Sequence, residues 1–330
     1  MTVVFSDLHL RERSEDVCFR VLSHIEELAL GNDRSIVFCG DWWHLRYQVN
    51  VRLLNRVNEL LTRWCGLGIS MDFVPGNHDQ VDYAGTNALS VFARESIRVW
   101  TEAGTRRHPI SGLWGFVPYR RNRQVQLDLL NKVLSEKPQV VFAHFGVLGS
   151  VMNNGMKDTD GIRAEPHWPL LILGHYHKPQ SNEHWMYAGS PYQTNYGEIG
   201  NTGGCLLLNA GKASFIPIDV GAPKHFILEW DPSQQENPPT HPGQLRDHVR
   251  IDIKATREMI VKGALKGVLD KHGFNEAQVN VIPVDVNREH KFAMEQGESL
   301  LQAAERFAYE RVVGSEADIG VLLKKLRSWN

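Results

Sequence analysis

The sequence lacks several features that mark paired-cysteine metal sites, membrane-spanning proteins and exported proteins. Its four cysteines show no paired spacing, so a zinc site built from paired thiolates is not indicated. Two of them lie in apolar runs, which is typical of buried, reduced thiols in an intracellular protein. No apolar run approaches the ~20 residues of a membrane-spanning helix, and no basic leader precedes the first strand-like run. We therefore expect a soluble, cytoplasmic protein, in the host cytoplasm if a phage encodes it.

An excess of charge of one sign is also lacking. The formal net charge is -2 over 330 residues, which argues against a protein that coats nucleic acid through bulk positive charge. A local basic surface remains compatible with this balance. Internal repeats and low-complexity tracts are absent from the sequence as well. The length and the 42% hydrophobic composition permit a large core and two or three domains.

The first two hundred residues alternate strand-like runs with helical patterns. Ser14 is placed to cap a helix that ends at Gly31, and a second helix is predicted by the apolar spacing from Val51 to Trp64. Short strands separated by helices of this length predict βαβ units and a parallel sheet at the start of the chain. Later strands are less regularly interleaved, so we expect two packed mixed sheets flanked by helices.

Five short polar clusters each follow one of the strand-like runs. Because open α/β sheets bind ligands at the carboxyl ends of their strands, the five loops should converge in one crevice. Their carboxylate, amide and imidazole groups suit hard or borderline divalent metals. The clusters are Asp7-Leu8-His9, Gly40-Asp41-Trp42-Trp43-His44, Gly76-Asn77-His78-Asp79, Ala143-His144 and Gly174-His175-Tyr176-His177.

These clusters supply enough ligands for two divalent ions about 3.5 to 4 Å apart, with Asp41 as the bridge. A set of oxygen and nitrogen ligands without thiolate favours manganese, iron or zinc over a structural zinc site. Two such ions can hold a phosphate and activate a water molecule, so the predicted reaction is phosphoester hydrolysis. The candidate ligands are Asp7, His9, Asp41, Asn77, His144, His175 and His177.

In this order, the motifs Asp-x-His, Gly-Asp, Gly-Asn-His-Asp, His and Gly-His-x-His resemble those of the calcineurin-like metallophosphoesterases, over roughly residues 1 to 220. The resemblance implies an α/β fold, a four-layer α/β/β/α sandwich. It also implies a catalytic role for His78 and Mn²⁺ as the leading cofactor, with Mg²⁺, Fe²⁺ or Zn²⁺ as alternatives. Two ligand sets follow from it: Asp7, His9, Asp41 and His177 for one metal, and Asp41, Asn77, His144 and His175 for the other.

A narrower resemblance is to the SbcD group of DNA repair nucleases, which pair with the SbcC ATPase. His44, three residues after Asp41, matches a second catalytic histidine of related nucleases. The segments Phe116 to Tyr119 and Tyr187 to Pro191 also match the group, together with Gly197-Glu198. At Arg11 this chain departs from the group, which commonly has glycine there.

The order of parts in the SbcD group implies three domains here. Residues 1–221 would form the nuclease domain, and residues 222–297 a small α/β capping domain that selects DNA. Residues 298–330, which carry two apolar stripes, would form a helical tail. The tail would bind an SbcC-like ATPase, with the nuclease acting as a homodimer in that complex. The alternative is that these helices fold back on their own capping domain.

We therefore expect a two-metal DNA exonuclease of repair or recombination, with endonuclease activity as a second mode. Arg11, Arg13 and Arg46 lie beside the first two clusters and are candidates for contacting DNA phosphates, although loop arginines are usually only solvated. Two rival hypotheses are a stand-alone metallophosphatase or nucleotide phosphodiesterase and an inactive scaffold of the same fold. The long segment Gly146 to Pro169 is either a lid over the site or a flexible surface loop.

Overall fold

The structure, a computed structural model, describes residues 1–82, 84–109, 112–240, 243, 247–255, 264–272, 274 and 277–283. The chain divides into two compact units, the first of which comprises Met1–Leu228, Pro239–Ile251 and Gly273–Val279. The remaining described residues belong to the second unit. The domain boundaries expected at residues 221 and 297 stay predictions, and the predicted helical tail, residues 298–330, lies outside the described residues.

The strands and helices follow the alternation that the sequence predicts. The described α-helices are α1 (Glu15–Leu30), α2 (Val51–Gly66), α3 (Arg123–Ser135) and α4 (Ala264–Lys271). The described strands are β1 (Thr2–Phe5), β2 (Ser35–Phe38), β3 (Ser70–Phe73), β4 (Ile97–Val99), β5 (Gly104–His108), β6 (Gly112–Val117), β7 (Val140–His144), β8 (Leu170–Gly174), β9 (Gln180–Ser181), β10 (Trp185–Tyr187), β11 (Gly204–Asn209), β12 (Lys212–Pro217), β13 (His225–Trp230), β14 (His248–Ala255) and β15 (Gln278–Pro283).

Two six-stranded sheets hold the strands that lead into the candidate site. The first has the order β12-β11-β1-β2-β3-β4. Strands β1, β2, β3 and β4 are parallel to one another, and β11 is antiparallel to β1. The second has the order β5-β6-β7-β8-β10-β9, with β6, β7, β8 and β10 parallel. Both sheets are therefore mixed, as expected, and each has a parallel centre.

Alternate residues of the central strands face opposite layers of the protein. In β1, Val3 and Phe5 pack with α1 and α2, whereas Val4 lies in the cluster between the two sheets. In β7, Val141 packs on the side of α3, whereas Phe142 lies between the sheets. This two-residue period buries both faces of each sheet and gives the predicted four-layer α/β/β/α sandwich.

The ends of the helices follow local capping chemistry, with one correction. The side chain of Asn50 caps the start of α2, because it accepts a hydrogen bond from the backbone N–H of Arg52 at 2.8 Å. Ser14 occupies the corresponding position before α1, but its hydroxyl makes no cap bond. It donates instead to the carbonyl of His9 at 3.2 Å, because the loop after β1 returns over the helix start. The predicted cap was therefore wrong, and Ser14 supports the His9 loop.

The face of α2 also differs slightly from its predicted stripe. Val51 is 68% exposed, and Leu53, 2% exposed, packs into the core in its place. Leu54 is half-buried against the core, and the remaining predicted apolar positions, from Val57 to Trp64, are buried as expected. Among the described residues, no helix combines the length and the apolar character that crossing a membrane requires.

The segment Gly146–Pro169 packs against neighbouring parts of the protein in its described conformation. Val147 forms a bridge with Ile162, and both side chains are buried in the cluster beside α3. The side chain of Asn153 accepts the backbone N–H of His177 at 2.7 Å. The segment therefore packs against the loop that carries the last predicted ligands, and it contributes to holding that loop in place.

Strands β13, β14 and β15 form a third sheet in that order. Together with α4, they supply strands and a helix after residue 221, where the sequence predicts a small α/β domain.

Candidate metal centre

The predicted ligands come from the carboxyl ends of five strands, three in the first sheet and two in the second. Asp7 and His9 follow β1, Asp41 follows β2, and Asn77 follows β3. His144 is the last residue of β7, and His175 and His177 follow β8. The structure brings all seven side chains together, as the convergence of parallel strand ends requires.

The backbone at this edge is held in an uncommon conformation. Left-handed backbone costs a non-glycine residue about 1–3 kcal/mol and persists only where neighbouring groups enforce it. Here the N–H of Asp7 donates to Gly40 O at 2.9 Å, and the N–H of His9 donates to Asp41 O at 3.0 Å. Four predicted ligands have positive φ angles: Asp7 (52°), His9 (48°), Asp41 (63°) and His175 (102°).

Three glycines have no side chain and so allow the candidate ligands to approach the backbone closely. A Cβ added to Gly76 would overlap Asp41 Oδ1, and one added to Gly40 or Gly174 would overlap the ring of His144 or atoms beside it. Gly40 also has a φ of 93°, where any side chain would be strained. The glycines in the Gly-Asp, Gly-Asn-His-Asp and Gly-His-x-His motifs therefore serve close approach rather than chain flexibility.

One group of ligands surrounds His9. His9 Nε2 lies 3.0 Å from His177 Nε2 and 3.8 Å from Asp41 Oδ2. His177 Nε2 lies 3.8 Å from Asp7 Oδ1. The donor atoms of Asp7, His9 and His177 all lie within 4.8 Å of one another, which is close enough to share one ion.

The second group surrounds Asn77. Its Oδ1 lies 3.0 Å from His144 Nε2 and 2.9 Å from His175 Nδ1. His144 Nε2 is also 3.4 Å from Asp41 Oδ1. The two oxygens of Asp41 thus face different groups, Oδ2 toward His9 and Oδ1 toward His144, as a bridging carboxylate would.

The orientation of two imidazoles is set by their other ring nitrogen. His144 Nδ1 donates to the carbonyl of Cys39 at 2.7 Å, and His177 Nδ1 donates to Glu198 Oε1 at 2.5 Å. In each ring Nε2 is therefore the nitrogen that faces the cluster, and it carries a lone pair when the ring is neutral. Outward hydrogen bonds of this kind are typical of histidines that bind metal.

The charges of the cluster are those of a cation site. Burial alone would lower the pKa of His144, but the Asp41 and Asp7 carboxylates raise it to about 9. Burial alone would raise the pKa of Asp41, yet His144 and His9 lower it below its usual range. The carboxylates therefore hold positive charge at His144 Nε2, where a cation would replace the proton.

The donor set thus fits divalent metal ions. Asp7, His9, Asp41 and His177 would hold one ion, and Asp41, Asn77, His144 and His175 the other. The set contains carboxylate, amide and imidazole groups and no thiolate, which suits Mn²⁺, Fe²⁺ or Zn²⁺. The four oxygen and nitrogen donors offered to each ion leave room for water and phosphate oxygens.

The two predicted catalytic histidines lie beside the same cluster. His78 donates its backbone N–H to Asp41 Oδ1 at 2.8 Å and its Nδ1–H to the carbonyl of His44 at 2.7 Å. The His44 and His78 rings are stacked with centroids 6.0 Å apart, and the His78 ring meets His9 edge-on at 4.8 Å. The roles of His44 and His78 stay predictions, but both side chains are within reach of the cluster.

The predicted substrate-binding arginines separate into two places. Arg11 donates Nη1–H to His44 Nε2 at 2.9 Å, and burial together with Arg11 lowers the pKa of His44 to about 4. Arg13 is exposed and lines two cavities that Arg11 also lines. Arg46 lines a different cavity, next to Asn77. The arginines therefore flank the cluster on two sides.

Three supporting residues were not predicted as part of the site. Asp79 accepts backbone N–H groups of Asp41 (2.8 Å), Trp42 (2.9 Å), Trp43 (3.2 Å) and Gly76 (2.9 Å), and so ties two ligand loops together. Glu198 orients His177, and Asn153 fixes the backbone of the same loop. Asp79 lies within a recognised motif, and Glu198 lies in the Gly197-Glu198 segment noted in the sequence without an assigned role, whereas Asn153 stands in a segment without a metal-binding pattern.

Comparison with known proteins finds a family match that covers strands of both large sheets and the candidate metal ligands. The family Calcineurin-like phosphoesterase matches residues 2–179. No curated protein shows a significant match. A crystal structure of Pseudomonas putida nuclease MPE is similar at 14% sequence identity and a TM-score of 0.33, covering 65% of this chain and 87% of that one. Because the family match spans more than half of the chain and includes the whole ligand cluster, this protein belongs to the calcineurin-like phosphoesterase family, whose chemistry is metal-dependent phosphoester hydrolysis.

Proposed function

We propose that this chain is a two-metal DNA nuclease of the SbcD type. It would hydrolyse phosphodiester bonds from DNA ends in repair or recombination, with endonuclease activity as a second mode. Family membership supplies the reaction class, and the substrate is argued from the surroundings of the metal centre. The observation that carries the proposal is the pair of arginine-lined cavities that flank the centre.

The first of these cavities has a volume of about 770 Å³ and is lined by Arg11, Arg13, Trp43, His44 and Tyr47, among others. Tyr47 is 76% exposed there. Arginines that contact phosphates and aromatic rings on which bases stack are the usual elements of a single-strand binding groove. This side of the centre therefore favours a polynucleotide over a small phosphate ester.

The second cavity, of about 430 Å³, is lined by Arg46, Asn77, Tyr119 and Arg121. The Tyr119 ring is stacked near His175, with centroids 6.2 Å apart. A small phosphomonoester would occupy only the centre itself. A DNA strand would extend past the centre in both directions and meet positive charge on each side.

In the mechanism that this arrangement supports, the two ions, when bound, would polarise the phosphate and lower the pKa of the attacking water. His78 keeps Nδ1–H on the carbonyl of His44, so its Nε2 is free to stabilise the developing charge or to protonate the leaving oxygen. His44 accepts a hydrogen bond from Arg11 and is therefore neutral, which suits a residue that positions the substrate. Asp79 holds both ligand loops by accepting their backbone N–H groups.

The proposal is tested with end-labelled linear DNA, closed circular DNA and p-nitrophenyl phosphate, each incubated with Mn²⁺, Mg²⁺, Fe²⁺, Zn²⁺ or a chelator. We expect metal-dependent release of nucleotides from linear DNA, fastest with Mn²⁺. Cleavage of the circle would add the endonuclease mode. Rapid hydrolysis of p-nitrophenyl phosphate with DNA left intact would favour the phosphatase rival, and inactivity on every substrate would favour the scaffold.

We further propose that residues 298–330 bind an SbcC-like ATPase and that the nuclease acts as a homodimer in that complex. Support comes from the sequence, which carries two apolar stripes after a complete catalytic domain. A chain truncated before Glu298 should keep metal-dependent cleavage of short DNA and lose co-purification with the ATPase. Loss of metal or misfolding of the truncated chain would instead assign the tail to the protein's own core.

A further inference from the structure

A cavity of about 330 Å³ next to the metal centre is basic in its lining. Two arginines and two histidines line it, Arg11, Arg13, His225 and His248, and no aspartate or glutamate is among its described lining residues. The other polar groups around it are neutral hydroxyls and amides, such as those of Thr194 and Gln193. The volume lies at the lower end of the range of ligand pockets, and the composition favours an anion.

The two arginines are not neutralised by acidic neighbours. Arg11 donates to two neutral acceptors, His44 Nε2 at 2.9 Å and the carbonyl of Thr194 at 3.5 Å. Arg13 is exposed at the rim. Within the part of the chain that the structure describes, neither guanidinium has a carboxylate within ion-pair distance. Their charge therefore remains available for a bound oxyanion.

The histidines form the opposite wall. The rings of His225 and His248 have centroids 4.6 Å apart, and Tyr196 meets His225 edge-on at 4.9 Å. His225 is only 8% exposed, yet its Nδ1 has no hydrogen-bond partner among the described residues. Buried imidazole nitrogens are normally paired, so this one indicates a group that the described residues do not supply.

The cavity shares a wall with the metal centre. Arg11 reaches from the cavity to His44, and Thr194 lies on the same boundary, with Oγ1 3.4 Å from His177 Nδ1. A strand that presents one phosphate to the ions would therefore bring a neighbouring phosphate toward this cavity. A guanidinium pair binds the oxygens of a phosphate through several parallel N–H donors.

We propose that this cavity is a subsite for the phosphate adjacent to the scissile one, so that the enzyme selects substrates with at least two phosphates on one strand. This inference rests on the proposed function and deepens it. It predicts that a second phosphate raises kcat/KM even when the reacting ester and leaving group are unchanged.

The test uses matched thymidine substrates that share the p-nitrophenyl leaving group. One pair is thymidine 5′-(p-nitrophenyl phosphate) with and without a 3′-phosphate, and the other is the 3′-ester with and without a 5′-phosphate. In one pair the second phosphate should raise kcat/KM at least about tenfold. A ratio near one in both pairs would overturn the subsite.

Variants then locate the effect. Arg13→Glu and His248→Ala change exposed side chains, so both should fold, and each should reduce the two-phosphate to one-phosphate ratio to near one. The matched control is Arg107→Ala, an exposed arginine of β5 that does not line this cavity and should keep the ratio. An unchanged ratio in Arg13→Glu would contradict the proposal.

Equilibrium binding separates this inference from the proposed function. Thymidine 3′,5′-bisphosphate is titrated into chelator-treated protein, where no metal contributes. Binding that Arg13→Glu weakens about tenfold would support the subsite even if no substrate were hydrolysed. Absence of binding, or equal binding by the variant, would overturn it, whereas inactivity on every ester would count against the nuclease proposal alone.

Discussion

The two halves of the metal centre are held by different kinds of partner. On the Glu198 side, which comprises Asp7, His9 and His177, the outer nitrogen of a histidine donates to a carboxylate. On the Cys39 side, which comprises Asn77, His144 and His175, the outer nitrogen of a histidine donates to a backbone carbonyl. A carboxylate also makes its histidine more basic, whereas a carbonyl mainly orients it. One side therefore depends on a removable side chain and the other on the fold of the strand itself.

Asp41 belongs to both sides, so its loss should have the largest effect. In Asp41→Ala, both ions should be lost and hydrolysis should fall by at least ~10³-fold, because charge stabilisation by the metals contributes several kcal/mol. Elemental analysis and initial rates measure the two effects. Asp128→Ala, at an exposed position of α3, is the control and should keep both. Two bound ions per chain in Asp41→Ala would contradict the bridging role.

Substitution of His78 should reduce catalysis while both metal ions stay bound. Its backbone N–H donates to Asp41 Oδ1, and alanine keeps that group. His78→Ala should therefore retain both metals and lose roughly 10²-fold or more in rate, the scale of a positioned acid or electrostatic stabiliser. Metal content and kcat are measured on the same preparation, with His24→Ala as the control. Loss of metal together with rate would make His78 a structural residue or a ligand.

The sequence pointed to the seven candidate ligands because each one lies at, or a few residues beyond, the carboxyl end of an apolar strand. The position of a residue at the end of a parallel strand is a local property, and sheet topology then brings the ends together. Glu198 could not be found in this way, since it lies 21 residues beyond His177 in a short helical turn. Its role depends on how β8 and that turn pack, which no local pattern of residues encodes.

Asp79 and Ser14 show that local sequence does not reveal tertiary contacts even where the residue stands in a recognised pattern. The tetrapeptide that contains Asp79 was predicted from its chemistry, but its four backbone partners come from two separate loops and required the structure. Ser14 has the residue type and position of a helix cap, yet the loop carrying His9 offers its hydroxyl a competing acceptor. Tertiary contacts replaced local capping there.

The difference between the two sides is tested most directly at Glu198. Glu198→Gln keeps the shape of the side chain and removes its charge, so metal affinity on that side should fall about 10-fold to 100-fold. Competition with a chelator should then release one ion before the other. Cys39→Ala is the matched control, because it leaves the carbonyl that orients His144 in place and should change affinity by less than about twofold. Equal losses in the two variants would remove the distinction.

The smallest expected effect concerns the reactivity of the cysteines, which reports whether either side of the centre needs metal to keep its buried thiols inaccessible to solvent. Burial raises the pKa of Cys18 to about 11, leaving only about 0.1% reactive thiolate at pH 8, and it raises the pKa of Cys39 as well. A disulfide reagent at pH 8 should therefore label Cys65, which is half-buried, and spare the buried thiols.

Cys65→Ser is the control for that labelling and should abolish it, while full denaturation should expose every thiol. We expect chelation to leave the native result unchanged, because hydrogen bonds to protein groups orient residues on both sides. Cys18 donates to the carbonyl of Leu8 at 3.5 Å, beside Asp7, and Cys39 carries the carbonyl that orients His144. If chelation made Cys18 react before Cys39, the packing of the Glu198 side would depend on its bound ion. If Cys39 reacted first, the packing of the Cys39 side would depend on its ion.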